Sequence, residues 1–217
     1  MTFIELLPGF LITVYLLAML PGQGMAMVLR QSLLGGSRAA LWAVAGNSTG
    51  LVVWGVLSAA GLSVIFTENE MAFAILKWSG VAFLVYLSVS TAIQLRHPAG
   101  KFDLTGTVYS SPWGAFRTGL ITNLTNVKAA VFAVAFIPSY APRELPLFTG
   151  IVLMGLVWAV ASSTWYIFLV AGVASISGTA AAKDDGFGHG SGLYQLLFQI
   201  AELGIVLAHV FVHRLCL

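Results

Sequence analysis

A chain of 217 residues that is 59% hydrophobic and only 8% charged is not a soluble domain, where about a quarter of residues carry charge. The formal net charge of +2 is dispersed, with no basic stripe interleaved with aromatics, which excludes nucleic acid as a partner. Cys216 is the only cysteine, so an intrachain disulfide and a cysteine-based metal cluster are excluded as well.

Apolar runs fall at 3–22, 39–66, 71–95, 115–140, 145–175 and 193–213, each near or above the roughly 20 residues that cross the hydrocarbon of a bilayer. The composition therefore predicts an all-α membrane protein with six transmembrane helices. The first run opens MTFIELL, with Glu5, no Lys or Arg and no small-residue cleavage pattern, so it is expected to be retained rather than removed as a signal. It is interrupted at Pro21-Gly22, after which MAMVLRQSLL resumes the apolar pattern as a second short helix. The first N–H groups of that helix lack intrahelical acceptors and carry the positive end of its dipole. A carboxylate suits such a position; a plain proline kink between packed helices is the alternative.

The second run, ALWAVAGNSTGLVVWGVLSAAGL, is dense in small residues. Gly46 and Gly50 form a face that lets another helix approach closely, either within one subunit or in a homo-oligomer. A polar linker, RHPAGKFDLTGTVYSSPWG at 96–114, follows the third run. In the fourth run, TGLITNLTNVKAAVF places Asn123 and Asn126 on one helical face, with Lys128 two residues on. Amides and a lysine inside a span need partners: substrate, opened backbone, neighbouring helices, or, for Lys128, the interface it can snorkel to. The last run carries Gln195, Gln199, Glu202, His209 and His213 within about 80° of helical arc at ~100° per residue. That stripe either lines an aqueous path, with Glu202 and His209 as proton carriers, or belongs to an amphipathic helix against the surface or another subunit.

Overlaying Pro21 on Val127, about half a chain apart, puts Phe10 on Phe116 and Leu20 on Asn126. The segment from Gly50 to Trp54 finds a loose echo in Gly155 to Trp158. Three spans per half is an odd number, so homologous halves insert with opposite orientation. The expected organisation is two inverted three-helix repeats, 1–95 and 115–217, joined by the 96–114 linker. Arg30 and Arg38, then Arg96, Lys101 and Arg117, then Lys183 mark the expected cytoplasmic loops, leaving both termini outside. No nucleophile arrangement, metal-ligand spacing or phosphate-cradling loop is present, so neither an enzyme nor a cofactor is expected.

PGQGMAMVLRQSLLGGSRAALWAVAGNSTG, FAILKWSGVAFLVYLSVSTA and FRTGLITNLTNVKAAVFAVAFIPSY together resemble the LysE/RhtB superfamily of amino-acid exporters. The resemblance rests on Pro-Gly-x-x-Met, Arg-Gln-Ser, Lys-Trp-x-Gly and Thr-Asn-Leu-x-Asn-x-Lys in corresponding order, and covers about four-fifths of the chain. It implies a six-span protein of the bacterial inner membrane that exports amino acids or related small metabolites by proton antiport. Pro21, Gly22, Asn123, Asn126 and Lys128 are then the expected substrate-binding residues. This chain departs from the pattern where Gln23 and Gly24 replace the usual proline and its following Asn or Asp, and where Val127 replaces the proline of Asn-Pro-Lys. A helix without that proline can close its hydrogen-bond ladder, which is the reason to weigh a non-transporting scaffold or inactive relative. After about Ser175 the likeness fades into KDDGFGHGSGLYQLLFQIAELG, either a specialised last helix or an out-of-frame tail.

Overall fold

The computed structural model describes residues 2–20, 22–65 and 111–181, with scattered helical positions between 71 and 93. Pro21, most of the 96–114 linker and the whole sixth run lie outside the described residues. Among those described, every regular element is helical: α1 (Phe3–Met19), α2 (Gln23–Ile65), α3 (Pro112–Leu124), α4 (Val127–Val131), a π turn (Phe132–Phe136), a 3-10 turn (Ile137–Tyr140) and α5 (Leu147–Ala181). By length and composition, α2 from Gln23 to Gly61 and α5 from Leu147 to Ser175 suffice to cross a membrane. A third candidate is the bent pair Pro112–Leu124 and Val127–Tyr140, and α1 is a shorter apolar helix.

Two carboxylates sit at the positive end of α1: Glu5 Oε2 accepts from Thr2 N at 2.9 Å and Glu144 Oε1 from Phe3 N at 3.0 Å. The second bond ties the loop before α5 to the start of the chain. Helix α2 is two helices merged across Gly36, whose φ of 78° and ψ of 169° are accessible to glycine and to almost nothing else. A Cβ on Gly24 would lie 3.4 Å from Asn47 Oδ1, so the chain reverses at Gly36 and lays its two arms side by side. Arg30 and Arg38 flank that reversal inside α2, and Arg117 lies inside α3, rather than in loops as their charge suggested.

The Gly46 face serves packing within the chain. A Cβ on Gly46 would overlap the Phe116 carbonyl, and one on Gly119 would overlap the Ala43 carbonyl. Backbones of α2 and α3 therefore touch reciprocally, as small residues permit in lipid. Gly55 and Gly155 repeat the device where α2 meets α5, a Cβ on Gly55 lying 3.1 Å from Gly155 Cα. Buried side chains form two clusters. One joins Phe10 and Val14 of α1 to Leu51, Phe132, Met154 and Trp158; the other joins Met25, Val28, Ala43, Ala115 and Tyr166.

Because Gly46 meets backbone whereas nothing lies within 4 Å of a Cβ on Gly61, the same substitution should have opposite signs at the two sites. Gly61→Ala is expected to raise thermal stability slightly, by about 0.5–1 kcal/mol of helix propensity. Gly46→Ala is expected to lower it by about 1–3 kcal/mol through forced separation of the helices. Thermal unfolding of the two purified variants in detergent checks this; equal stabilisation would deny the close contact.

Candidate functional site

The first helix break follows from one missing proton. In a continuous helix the Leu17 carbonyl would accept from the N–H of residue 21, but residue 21 is proline and has none. Leu20, the residue before it, is extended (φ −62°, ψ 122°), as a residue preceding proline prefers. Lys128 supplies what is missing: its Nζ donates to Leu17 O at 3.1 Å and to Leu20 O at 3.0 Å. A cation at a helix C-terminus is also favoured by the dipole. A Cβ on Gly22 would lie 3.2 Å from that Nζ, so glycine here leaves the ammonium room. Helix α2 then starts with Ala26 N donating to Gly22 O at 2.9 Å.

The second break persists without a proline. Helix α3 ends at Leu124, α4 begins at Val127, and the two parts are bent by 56°. Asn126 makes the new start: it is extended (φ −83°, ψ 101°) and its Oδ1 accepts from Lys128 N at 3.1 Å, an N-cap in the usual sense. The carbonyls left at the end of α3 are met locally. Ile121 O accepts from Thr125 N at 3.0 Å, and Asn123 O from Asn126 N at 2.9 Å and Trp54 Nε1 at 3.2 Å. The ladder that Val127 allowed to close therefore stays open, because capping outcompetes one helical hydrogen bond. Beyond the break the chain widens into the π turn, where Ser58 Oγ donates to Ala133 O at 2.6 Å.

Asn123 is 2% exposed and packs against Gly50, where a Cβ would lie 2.7 Å from its Oδ1. Its Nδ2 donates to Asn47 Oδ1 at 3.1 Å, while its own Oδ1 is buried without a partner. An unmet buried acceptor costs about 1–3 kcal/mol, so it calls for an explanation.

These residues surround one cavity. Asn47, Asn123, Asn126, Lys128, Ser162 and Tyr166 give it a polar lining, and Leu17, Leu51, Ala129 and Trp158 an apolar one. Its volume of about 20 Å³ holds one or two water molecules, so as it stands it has no room for an amino acid. Gly22, Asn123, Asn126 and Lys128 are thus brought together, Gly22 through its contact with Lys128. Pro21, Glu202 and His209 lie outside the described residues. Asn47, Ser162 and Tyr166 are absent from the expected set. An amide inside an apolar run was a signal for Asn47, whereas nothing local in the sequence marked Tyr166.

The family model for LysE-type translocators matches residues 15–186. A homoserine/homoserine lactone efflux protein of Salmonella typhimurium is 34% identical over 148 residues, 68% of this chain and 70% of that protein. A leucine efflux protein of the same organism is 28% identical over 138 residues, 63% of this chain and 64% of its own length. The membrane protein YrhP of Bacillus subtilis is 24% identical over 161 residues, 71% and 77% of the two chains. No solved structure matches. With membrane-length apolar helices broken around a polar cavity, and a family match across most of its length, this multi-pass bacterial membrane protein belongs to the LysE-type translocator family.

Proposed function

We propose that this protein exports amino acids, with small neutral or hydroxylated amino acids such as homoserine as its substrates, across the bacterial inner membrane. The observation that carries this reading is the small polar cavity at two helix breaks, which Lys128 lines. Unwound backbone in a membrane helix is tolerated where protein or a cavity meets its polar groups, and paired breaks are where secondary transporters hold substrate. The substrate carboxylate takes the free N–H groups that follow Gly22, beside the Lys128 ammonium. Its ammonium goes to Asn123, whose Oδ1 is buried and unpaired, with Asn126 alongside. Pro21 acts by withholding the N–H that would otherwise close α1 over the site. Among the described residues the lining includes no acidic side chain, which favours a neutral substrate over lysine or arginine. The relative named for homoserine and homoserine lactone efflux points the same way.

The full chain is read as six spans in two inverted three-helix repeats, and export as proton antiport, with Glu202 and His209 of the last span as carriers. The cavity must open for an amino acid to enter, since it now holds only water-sized guests.

Cells loaded with amino acid from dipeptides should release homoserine more slowly after Pro21→Ala or Asn126→Ala, by about tenfold if one substrate contact is lost, at unchanged membrane abundance. Unaltered efflux in both variants would exclude this site. A protonophore should stop efflux against a concentration gradient in the wild type, and Glu202→Gln or His209→Gln should mimic it. Efflux that persists with the proton gradient collapsed would remove antiport while leaving export in place.

A further inference from the structure

The first turn of α2 is built around a side chain that is not its own. A Cβ on Gly24 would lie 2.9 Å from Tyr166 Oη and 3.4 Å from Asn47 Oδ1. The tyrosine hydroxyl, delivered from α5, thus fills the space a larger residue at 24 would take, and Tyr166 lines the same cavity as Asn123 and Lys128. Tyr166 is 7% exposed, and a hydroxyl at the wall of a cavity can both donate to and accept from a guest there. A phenylalanine would pack the same ring, so the hydroxyl is what distinguishes tyrosine at this position.

We propose that Tyr166 is the specificity-determining residue of the site, reading the side chain of a small neutral amino acid that ends in a hydroxyl, in space kept open by Gly24. This rests on the export reading and adds the group that selects among substrates. The charged ends of an amino acid already have their partners in Lys128, the start of α2 and Asn123. Among the described residues, what is left on the polar wall once Asn126 is set beside Asn123 is neutral: Tyr166, Ser162 and Asn47. A tyrosine hydroxyl both donates and accepts, which is what a substrate hydroxyl requires and a methyl group cannot use. A site that bonds a substrate hydroxyl rejects the analogue lacking it far more strongly than an apolar pocket rejects an extra hydroxyl.

The test is competition in proteoliposomes holding the full-length protein. Unlabelled L-homoserine and L-norvaline, which carries a methyl group in place of the hydroxyl, are compared as inhibitors of labelled homoserine transport. In the wild type, homoserine should compete about tenfold or more better than norvaline. Tyr166→Phe should bring the ratio close to one by weakening homoserine more than norvaline. Gly24→Ala, whose methyl displaces the hydroxyl, should do the same. The double variant should be no worse than Tyr166→Phe alone, because the two changes act on one contact. Should Tyr166→Phe fail to reach the membrane, Gly24→Ala and the wild-type ratio carry the test. A wild type without preference, or either variant with the preference intact, would overturn the role of Tyr166. A wild type that moves neither amino acid would instead overturn the export reading.

Discussion

The Lys128 ammonium, held by the last carbonyls of α1, is the interaction on which the site depends. A lysine within a membrane span costs a few kcal/mol, and two unmet carbonyls at a helix end add to that cost. Each charge-assisted hydrogen bond recovers about 1.5–3 kcal/mol, so the pair at 3.1 and 3.0 Å offsets both debts together. Remove either side and the other is stranded in a low-dielectric interior. The lysine also links the two breaks: its backbone N–H is bonded to the Asn126 cap while its ammonium reaches across to α1. The end of the first helix and the restart of the second are thereby fixed against each other.

Around that link, glycines set the distances. Backbone contact of Gly46 and Gly119 with the facing helix brings α2 and α3 close enough for Asn123 to reach Asn47 and rest on Gly50. Gly36 turns the chain so that the start of α2 returns to the same place. The result is a cavity that draws on both buried clusters, with Trp158 from one and Tyr166 from the other. It has too little room for an amino acid, so on the proposed export reading it must widen before substrate enters.

Much of this was legible in the sequence, and the rest was hidden for physical reasons. Pro21-Gly22 announced the first break because a missing N–H is a property of one residue, and the restart of α2 at Gln23 agrees with it. Asn123, Asn126 and Lys128 stood out because polar groups are expensive in an apolar run. The second break was half-legible: the loss of proline at Val127 suggested a ladder able to close, whereas the Asn126 cap and Thr125 keep it open. Gly24 read as a lost side chain, since a tyrosine hydroxyl supplied from a distant helix leaves no local trace. The Gly46 face was visible without its partner, because small residues permit close approach but do not say to what. Arg30, Arg38 and Arg117 read as loop charges, but helices can carry arginines near their ends.

Binding of homoserine to the purified protein in detergent, measured by calorimetry for the wild type and for Lys128→Met, is the most direct check that the lysine between the breaks belongs to the substrate site. The expected result is saturable binding by the wild type and affinity weaker by about tenfold or more in the variant, with the variant still folded and helical. Equal affinity in the two proteins would contradict it.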